Sequence, residues 1–197
     1  MRGIPNYNNI QQYTEIAKLP AGAYEVKIIR AEEQGGKNDS CALCILFDIS
    51  DGEYKDFYMD KFKDEKKAYP DSAKFKGVLR LWYANGGQYD ESNEKRIKTA
   101  LERIKESNGL KTDFSKEWDG AVLKNCKVGM IFREQEWSYN GSTGMTAQPY
   151  QIITLEALKE GKFTVPKPKY LKDDDYSQTD TAANAASPID DDEDLPF

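Results

Sequence analysis

Residues 41–49 read Cys-Ala-Leu-Cys-Ile-Leu-Phe-Asp-Ile. The stretch holds no Gly or Pro and a single charged residue, and Leu43, Ile45, Phe47 and Ile49 alternate onto one face, so it reads as a buried β-strand. Turn-forming residues bracket it: Gln34-Gly-Gly-Lys-Asn-Asp39 before and Ser50-Asp-Gly52 after. Upstream, Tyr24, Val26 and Ile28 alternate with Glu25 and Lys27 behind the turn Pro20-Ala-Gly22, the pattern of a half-buried strand. Downstream, Tyr54 to Phe62 reads as a third strand crowded with aromatics. One of the neighbours Phe57 and Tyr58 must then face inward.

The period changes after that. Phe75, Val78, Leu79 and Trp82 fall at helical spacing, with Ser72 placed to cap the start and Gly86 to end the run. On this reading Trp82 is a core residue. A second helix carries the stripe Ile97, Ala100, Leu101 and Ile104, with Ser92 as its N-cap and Gly109 after its end. Alternation returns from Asn125 to Glu136, with Cys126, Val128, Met130 and Phe132 inward. Asn140 to Gly144 is a loop, and Tyr150 to Leu158 is a last strand. The expected fold is therefore mainly β: an oligonucleotide-binding (OB) barrel of five antiparallel strands with two helices between the third and fourth. A plain α+β sheet packed by two helices is the other architecture this order permits. Residues 1–18 form an N-terminal arm, 19–171 the domain, and 172–197 a disordered acidic tail.

The 197 residues carry 28 Lys and Arg against 34 Asp and Glu, a net charge of −6. The balance is uneven. Residues 173–197 hold nine acids and no base, which leaves 28 basic and 25 acidic groups, a net of +3, on residues 1–172. There is no His, which excludes histidine general bases, Ser-His-Asp and Cys-His catalysis, and His-ligated metals. The three cysteines, Cys41, Cys44 and Cys126, are too few for a four-ligand zinc site. Cys41 and Cys44 lie three apart on a strand and point to opposite faces, so they are expected to be free and structural. No phosphate-binding glycine loop occurs, and Asp48 to Gly52 lacks the ligand pattern of a calcium loop. No metal, no cofactor and no enzymatic activity are expected. No apolar run approaches a membrane span and the N-terminal stretch lacks an export signal, so a cytoplasmic protein without a membrane partner is expected.

What the sequence does carry is basic and aromatic residues interleaved. Sequence-independent binding of single strands needs cations along the phosphates and ring faces for the bases. Both occur in Tyr54, Lys55, Tyr58, Lys61, Phe62 and Lys63, and again in Arg133, Trp137 and Tyr139. Lys27 and Arg30 add charge from the first strand. These eleven residues are the candidate nucleic-acid-binding set. The tail closes on Asp190, Asp191, Asp192, Glu193, Asp194, Leu195, Pro196 and Phe197, an acidic block ending in an apolar group that suits a greasy pocket rimmed by cations.

That ending resembles the acidic tip of bacterial single-stranded DNA-binding proteins. The body resembles a family of single-stranded DNA-binding proteins from phages and prophages of Gram-positive bacteria. The likeness lies in Leu19-Pro-Ala-Gly-Ala-Tyr24, Phe47-Asp-Ile-Ser-Asp-Gly-Glu-Tyr-Lys55 and Leu158-Lys-Glu-Gly-Lys-Phe-Thr-Val-Pro166. It covers most of residues 19–171, while residues 64–118 depart from the pattern. The resemblance implies an OB fold, coating of single-stranded DNA in phage replication and recombination inside a bacterial host cell, and docking of replication and recombination proteins on Asp190 to Phe197. Homo-oligomerisation stays open. The rival expectation is an interaction adaptor whose acidic tail mimics DNA, with no strand binding of its own.

Overall fold

A computed structural model describes residues 18–36 and 40–171, together with residues 2, 3, 5 and 7–9. The tail 172–197, including the expected docking tip Asp190 to Phe197, and most of the expected arm lie outside the described residues. The chain runs β1 (Gly22–Gly35), β2 (Cys41–Ile49), α1 (Phe57–Ala68), β3 (Val78–Trp82), α2 (Asp90–Asn108), a 3-10 turn (Gly120–Leu123), β4 (Lys127–Tyr139), β5 (Ser142–Ile153) and α3 (Leu155–Lys159).

The fold is mainly β. One antiparallel sheet has the strand order β3-β2-β1-β4-β5. This order is compatible with an OB-like barrel, in which the two outer strands would meet. Among the described residues no ladder joins β3 to β5, so the sheet is open. Central β1 pairs with β2 along nearly all of β2's length and with β4 from Gly22↔Phe132 to Lys27↔Lys127. Its inward residues Val26 and Ile28 are fully buried beside Phe47, Ile49, Val128, Met130 and Phe132. Ile97, Ala100, Leu101 and Ile104 of α2 close the core, as their spacing predicts. Gly109 ends α2 in the left-handed conformation at φ +63°.

The structure exchanges two expected elements. The predicted third strand, Tyr54 to Phe62, is the turn leading into helix α1 and its first half, and the predicted helix around Phe75 to Trp82 is strand β3. One helix, not two, therefore separates the third and fourth strands. The aromatics Tyr54, Tyr58 and Phe62 repeat every four residues, which is a helical period, and Tyr58 and Phe62 share the buried face of α1. Tertiary structure supplies the cap. The Asp48 carboxylate, buried at the end of β2, accepts the N–H groups of Tyr58 (3.0 Å) and Met59 (2.8 Å) at the start of α1, and that of Ile49 (2.8 Å). Two otherwise orphaned donors of the helix start are thereby satisfied. For β3, Gly77 makes the entry possible. Its carbonyl accepts the Phe47 N–H at 2.8 Å, and a Cβ at this position would sit 2.3 Å from the Phe47 carbonyl oxygen. Both faces of β3 are then covered at Val78, Leu79 and Leu81. Trp82, expected in the core, is 42% exposed.

Smaller shifts follow. Helix α2 begins at Asp90, so Ser92 lies inside its first turn. The expected loop 140–144 is a two-residue turn, Asn140-Gly141, with both residues at positive φ (47° and 75°). That is the backbone a tight hairpin requires, so β5 starts at Ser142. Thr154 accepts the Ala157 N–H and opens α3, which ends the last strand before the expected Leu158. Among the described residues no helix is long and apolar enough to cross a membrane, and no group of three or more acidic or sulfur ligands is placed to hold a metal.

Two carboxylates give tests of this packing. Asp48→Ala leaves buried helix N–H groups without an acceptor and is expected to lower unfolding free energy by about 1–3 kcal/mol, read from urea unfolding. Glu25 accepts hydrogen bonds from Lys127 Nζ (2.8 Å) and Ser50 Oγ (2.9 Å), tying β1 to β4 and to the turn after β2. The bond to Lys127 holds the Glu25 carboxyl below its ordinary range, with burial acting against it and the bond from Ser50 adding to it. Because the folded value is lowered, this contribution is present above the ordinary glutamate range and is lost as pH falls through the folded value. Glu25→Gln should therefore lower stability at neutral pH and flatten the acid limb of the stability–pH curve.

Candidate nucleic-acid interface

The outer strands β3 and β5 approach each other with α2 packed against both, and two concavities, together the cleft, follow one another along β5. The first part, about 370 Å³, is lined by Lys18, Lys61, Lys74 and Lys76, with Phe57, Phe75 and residues 145–148 of β5. The second, about 480 Å³, is lined by Lys95, Arg96 and Arg103 of α2, Arg133 of β4, Leu79 and Leu81 of β3, and residues 149–152 of β5. Successive segments of β5, residues 145–148 and 149–152, thus line the two parts in turn. Among the described residues, eight basic side chains and one carboxylate, Glu134, line the two parts.

Local structure sets each of these groups. The Lys61 ammonium lies 4.7 Å from the centre of the Phe57 ring, and burial holds its pKa below the ordinary lysine value, helped by the charge of Lys76 and opposed by Glu65. Lys76 pairs with Glu65, and Lys95 with Glu91 at 2.6 Å. Arg103 donates to the Ile152 carbonyl, which fixes α2 against β5. The β4–β5 register slips between Ile131 and Phe132, so that Tyr150 is the extra residue on β5. Such a bulge re-aims a side chain. Here the Tyr150 ring meets the Arg133 guanidinium, 4.7 Å from its centre. Pro149 beside it costs no ladder bond on the outer edge of the sheet.

Beyond Phe132, β4 loses β1 as a neighbour and continues with β5 as a two-stranded arm. The chain leaving α3 returns to this arm. Lys169 bridges Gln135 in parallel, accepting the Glu136 N–H (2.8 Å) and donating its own N–H to Glu134 (2.9 Å). Leu171 donates to the Glu136 carboxylate at 3.1 Å. Near the end of the arm Trp137 is 39% exposed and Tyr139 is also exposed. Trp137 faces Gly144 across the hairpin, and its indole lies where a Cβ on Gly144 would be, 2.8–3.0 Å from three ring atoms. One face of the indole is backed by the hairpin and the side chain has a fixed seat.

The structure divides the sequence-predicted set. Lys61 and Arg133 line the cleft, and Trp137 and Tyr139 project from the arm that continues it. Tyr58 and Phe62 are corrected to core residues, although Tyr58 also borders the first part of the cleft. Tyr58 is 7% exposed and stacked on Phe132, and Phe62 packs edge-on against Phe75. Neither offers a free ring face, because the segment is a helix whose four-residue stripe points inward. Burial raises the Tyr58 hydroxyl far above the ordinary tyrosine value. Tyr54 is half-buried against Tyr24 and Phe57. Arg30 pairs with Glu32 at 3.1 Å, and Lys63 with Asp60 at 3.5 Å. Lys27 and Lys55 are exposed but lie outside the cleft. Sequence reasoning passed over Lys18, Lys74, Lys76, Lys95, Arg96, Arg103 and Tyr150. One signal was available: Ser92, Arg96, Thr99 and Arg103 fall on a single helical stripe next to the apolar one.

No protein-family model matches the chain, and no curated protein was found to match it.

The seat of Trp137 is testable directly. Gly144→Ala puts a methyl group into the indole, and Gly144 has ordinary negative-φ backbone, so the ring must yield. One of the three indole N–H resonances is expected to shift while the other two and the far-UV spectrum stay as in wild type.

Proposed function

We propose that this chain is a non-enzymatic, sequence-independent single-stranded DNA-binding protein. The cleft between β3 and β5 carries the reading. It sets eight cations and the rings of Phe57 and Tyr150 in two concavities along β5, and the arm with Trp137 and Tyr139 extends from the same strand. Phosphates would run along the lysines and arginines, releasing counterions, while bases stack on the rings. A body with a net charge of only +3 can do this because its charge is concentrated. A separate concavity around Glu32, Glu33, Lys116 and Glu117 holds three acids and one base instead. The resemblance of the body and of the tip to single-stranded DNA-binding proteins of phages and bacteria supports the same reading. On it, the protein coats DNA during phage replication and recombination in the bacterial host cell, and Asp190 to Phe197 recruit partner proteins.

Titration of fluorescent oligo-dT into the full chain at several salt concentrations tests the cleft. Lys61→Ala and Arg96→Ala should each weaken binding at every sequence tried and reduce the log–log salt slope by about 0.7. Lys27→Ala, outside the cleft, should leave both unchanged. Absence of oligo-dT binding by the wild type would leave the acidic-tailed adaptor as the reading. The tip is tested separately: Phe197→Ala should keep oligo-dT affinity and lose co-purification with host replication proteins.

A further inference from the structure

A second exposed tryptophan also lies beside a glycine, in a concavity that helix α2 lines together with the second part of the cleft. Trp82 closes β3 and is 42% exposed. Its benzo edge lies against Gly36, where a Cβ would come within 3.2 Å of the ring. Gly36 thus borders one edge of the indole, less closely than Gly144 borders Trp137. Beside it Tyr89 is 67% exposed, and the two rings share a concavity of about 300 Å³ with Asn85 and Asn93. The rim is held in place by Asp90, whose carboxylate accepts the N–H groups of Asn85 (3.0 Å) and Gly86 (2.7 Å). Both of its oxygens are therefore engaged with the backbone.

Helix α2 joins this concavity to the cleft. Tyr89, Asn93, Arg96, Ala100 and Arg103 succeed one another at steps of four and three residues, so they form one stripe down the helix. The stripe begins at the Trp82 concavity and ends in the second part of the cleft, where Arg96 and Arg103 are lining residues. From this second part, alternate residues of β4 run from Arg133 through Gln135 to Trp137 on one face of the arm.

We infer that Trp82 and Tyr89 form a second base-stacking subsite of the same strand path, so that two glycine-bordered indoles, Trp82 and Trp137, mark its two ends. The inference rests on the single-stranded DNA reading. The occupant is a nucleobase of the strand lying in the cleft, because the route from one site to the other passes Arg96, Arg103 and Arg133, which would carry its phosphates. A ring already fixed against a glycine loses little side-chain freedom when a base stacks on it.

The experiment uses the full chain and oligo-dT long enough to span cleft and concavity. Trp82→Ala is expected to weaken binding roughly fivefold to a hundredfold with the salt slope unchanged, since no phosphate contact is removed. In Trp137→Phe, which retains Trp82 and Trp118, oligo-dT should still quench tryptophan emission. In the double variant Trp82→Phe, Trp137→Phe that quenching should vanish, because Trp118 is engaged edge-on with Phe114. Wild-type affinity in Trp82→Ala, with quenching insensitive to residue 82 while Lys61→Ala and Arg96→Ala still weaken binding, would overturn the subsite and leave the cleft reading standing. Failure of the wild type to bind oligo-dT would overturn both.

Discussion

A single buried carboxylate decides how the chain gets from the second strand to the third. Asp48 ends β2 inside the protein and gives its oxygens to the backbone N–H groups that begin α1. Burial raises its pKa, and the three N–H donors work in the opposite sense by favouring the ionised form. With α1 pinned there, its sides are assigned. Tyr58 and Phe62 turn into the core, while Phe57 and Lys61 are left on the wall of the cleft. The chain then returns through Lys74 and Lys76 to Gly77, whose close approach to the Phe47 carbonyl sets the start of β3. Three of the four lysines of the first half of the cleft thus owe their position to the connection that Asp48 fixes.

The segments legible in the sequence were those whose periodicity and burial agree. Strand β2, the alternation at Val26 and Ile28, the α2 stripe from Ile97 to Ile104, and the β4 residues Val128, Met130 and Phe132 are all buried on the expected face. The two exchanged elements were legible only in part. Tyr54, Tyr58 and Phe62 carry a helical period, but their aromatic density also suits a strand, and the capping acid lies ten residues upstream on another element. Val78 and Leu79 with Phe75 imitate a helical stripe because β3 is covered on both faces and so lacks alternation. Of the residues lining the cleft and arm, Lys61, Arg133, Trp137 and Tyr139 were legible in the sequence because base and ring stand near each other in the chain. The α2 cations and Lys18 were not, since only the tertiary fold brings them beside β5.

The open edge of the sheet and the position of α2 are linked. A ladder between β3 and β5 would fill the space that now holds Arg133, Tyr150 and the α2 side chains. The bulge at Tyr150 and the proline beside it both disfavour continued pairing on that side of β5. What would be an aggregation-prone pair of edges is instead lined with charge, a common way to protect exposed strands.

The return of Lys169 to the arm has a mechanical meaning. The chain beyond Leu171 does not leave from the last strand of the sheet. It leaves from a segment laid parallel to β4 and held there by two main-chain hydrogen bonds at Lys169 and one from Leu171 to Glu136. Tension applied to the following residues loads those bonds before it reaches the core, and it does so on the strand that carries Trp137. The arm is therefore the first part of the fold to feel a pull on the tail, and the hydrophobic core is shielded from it.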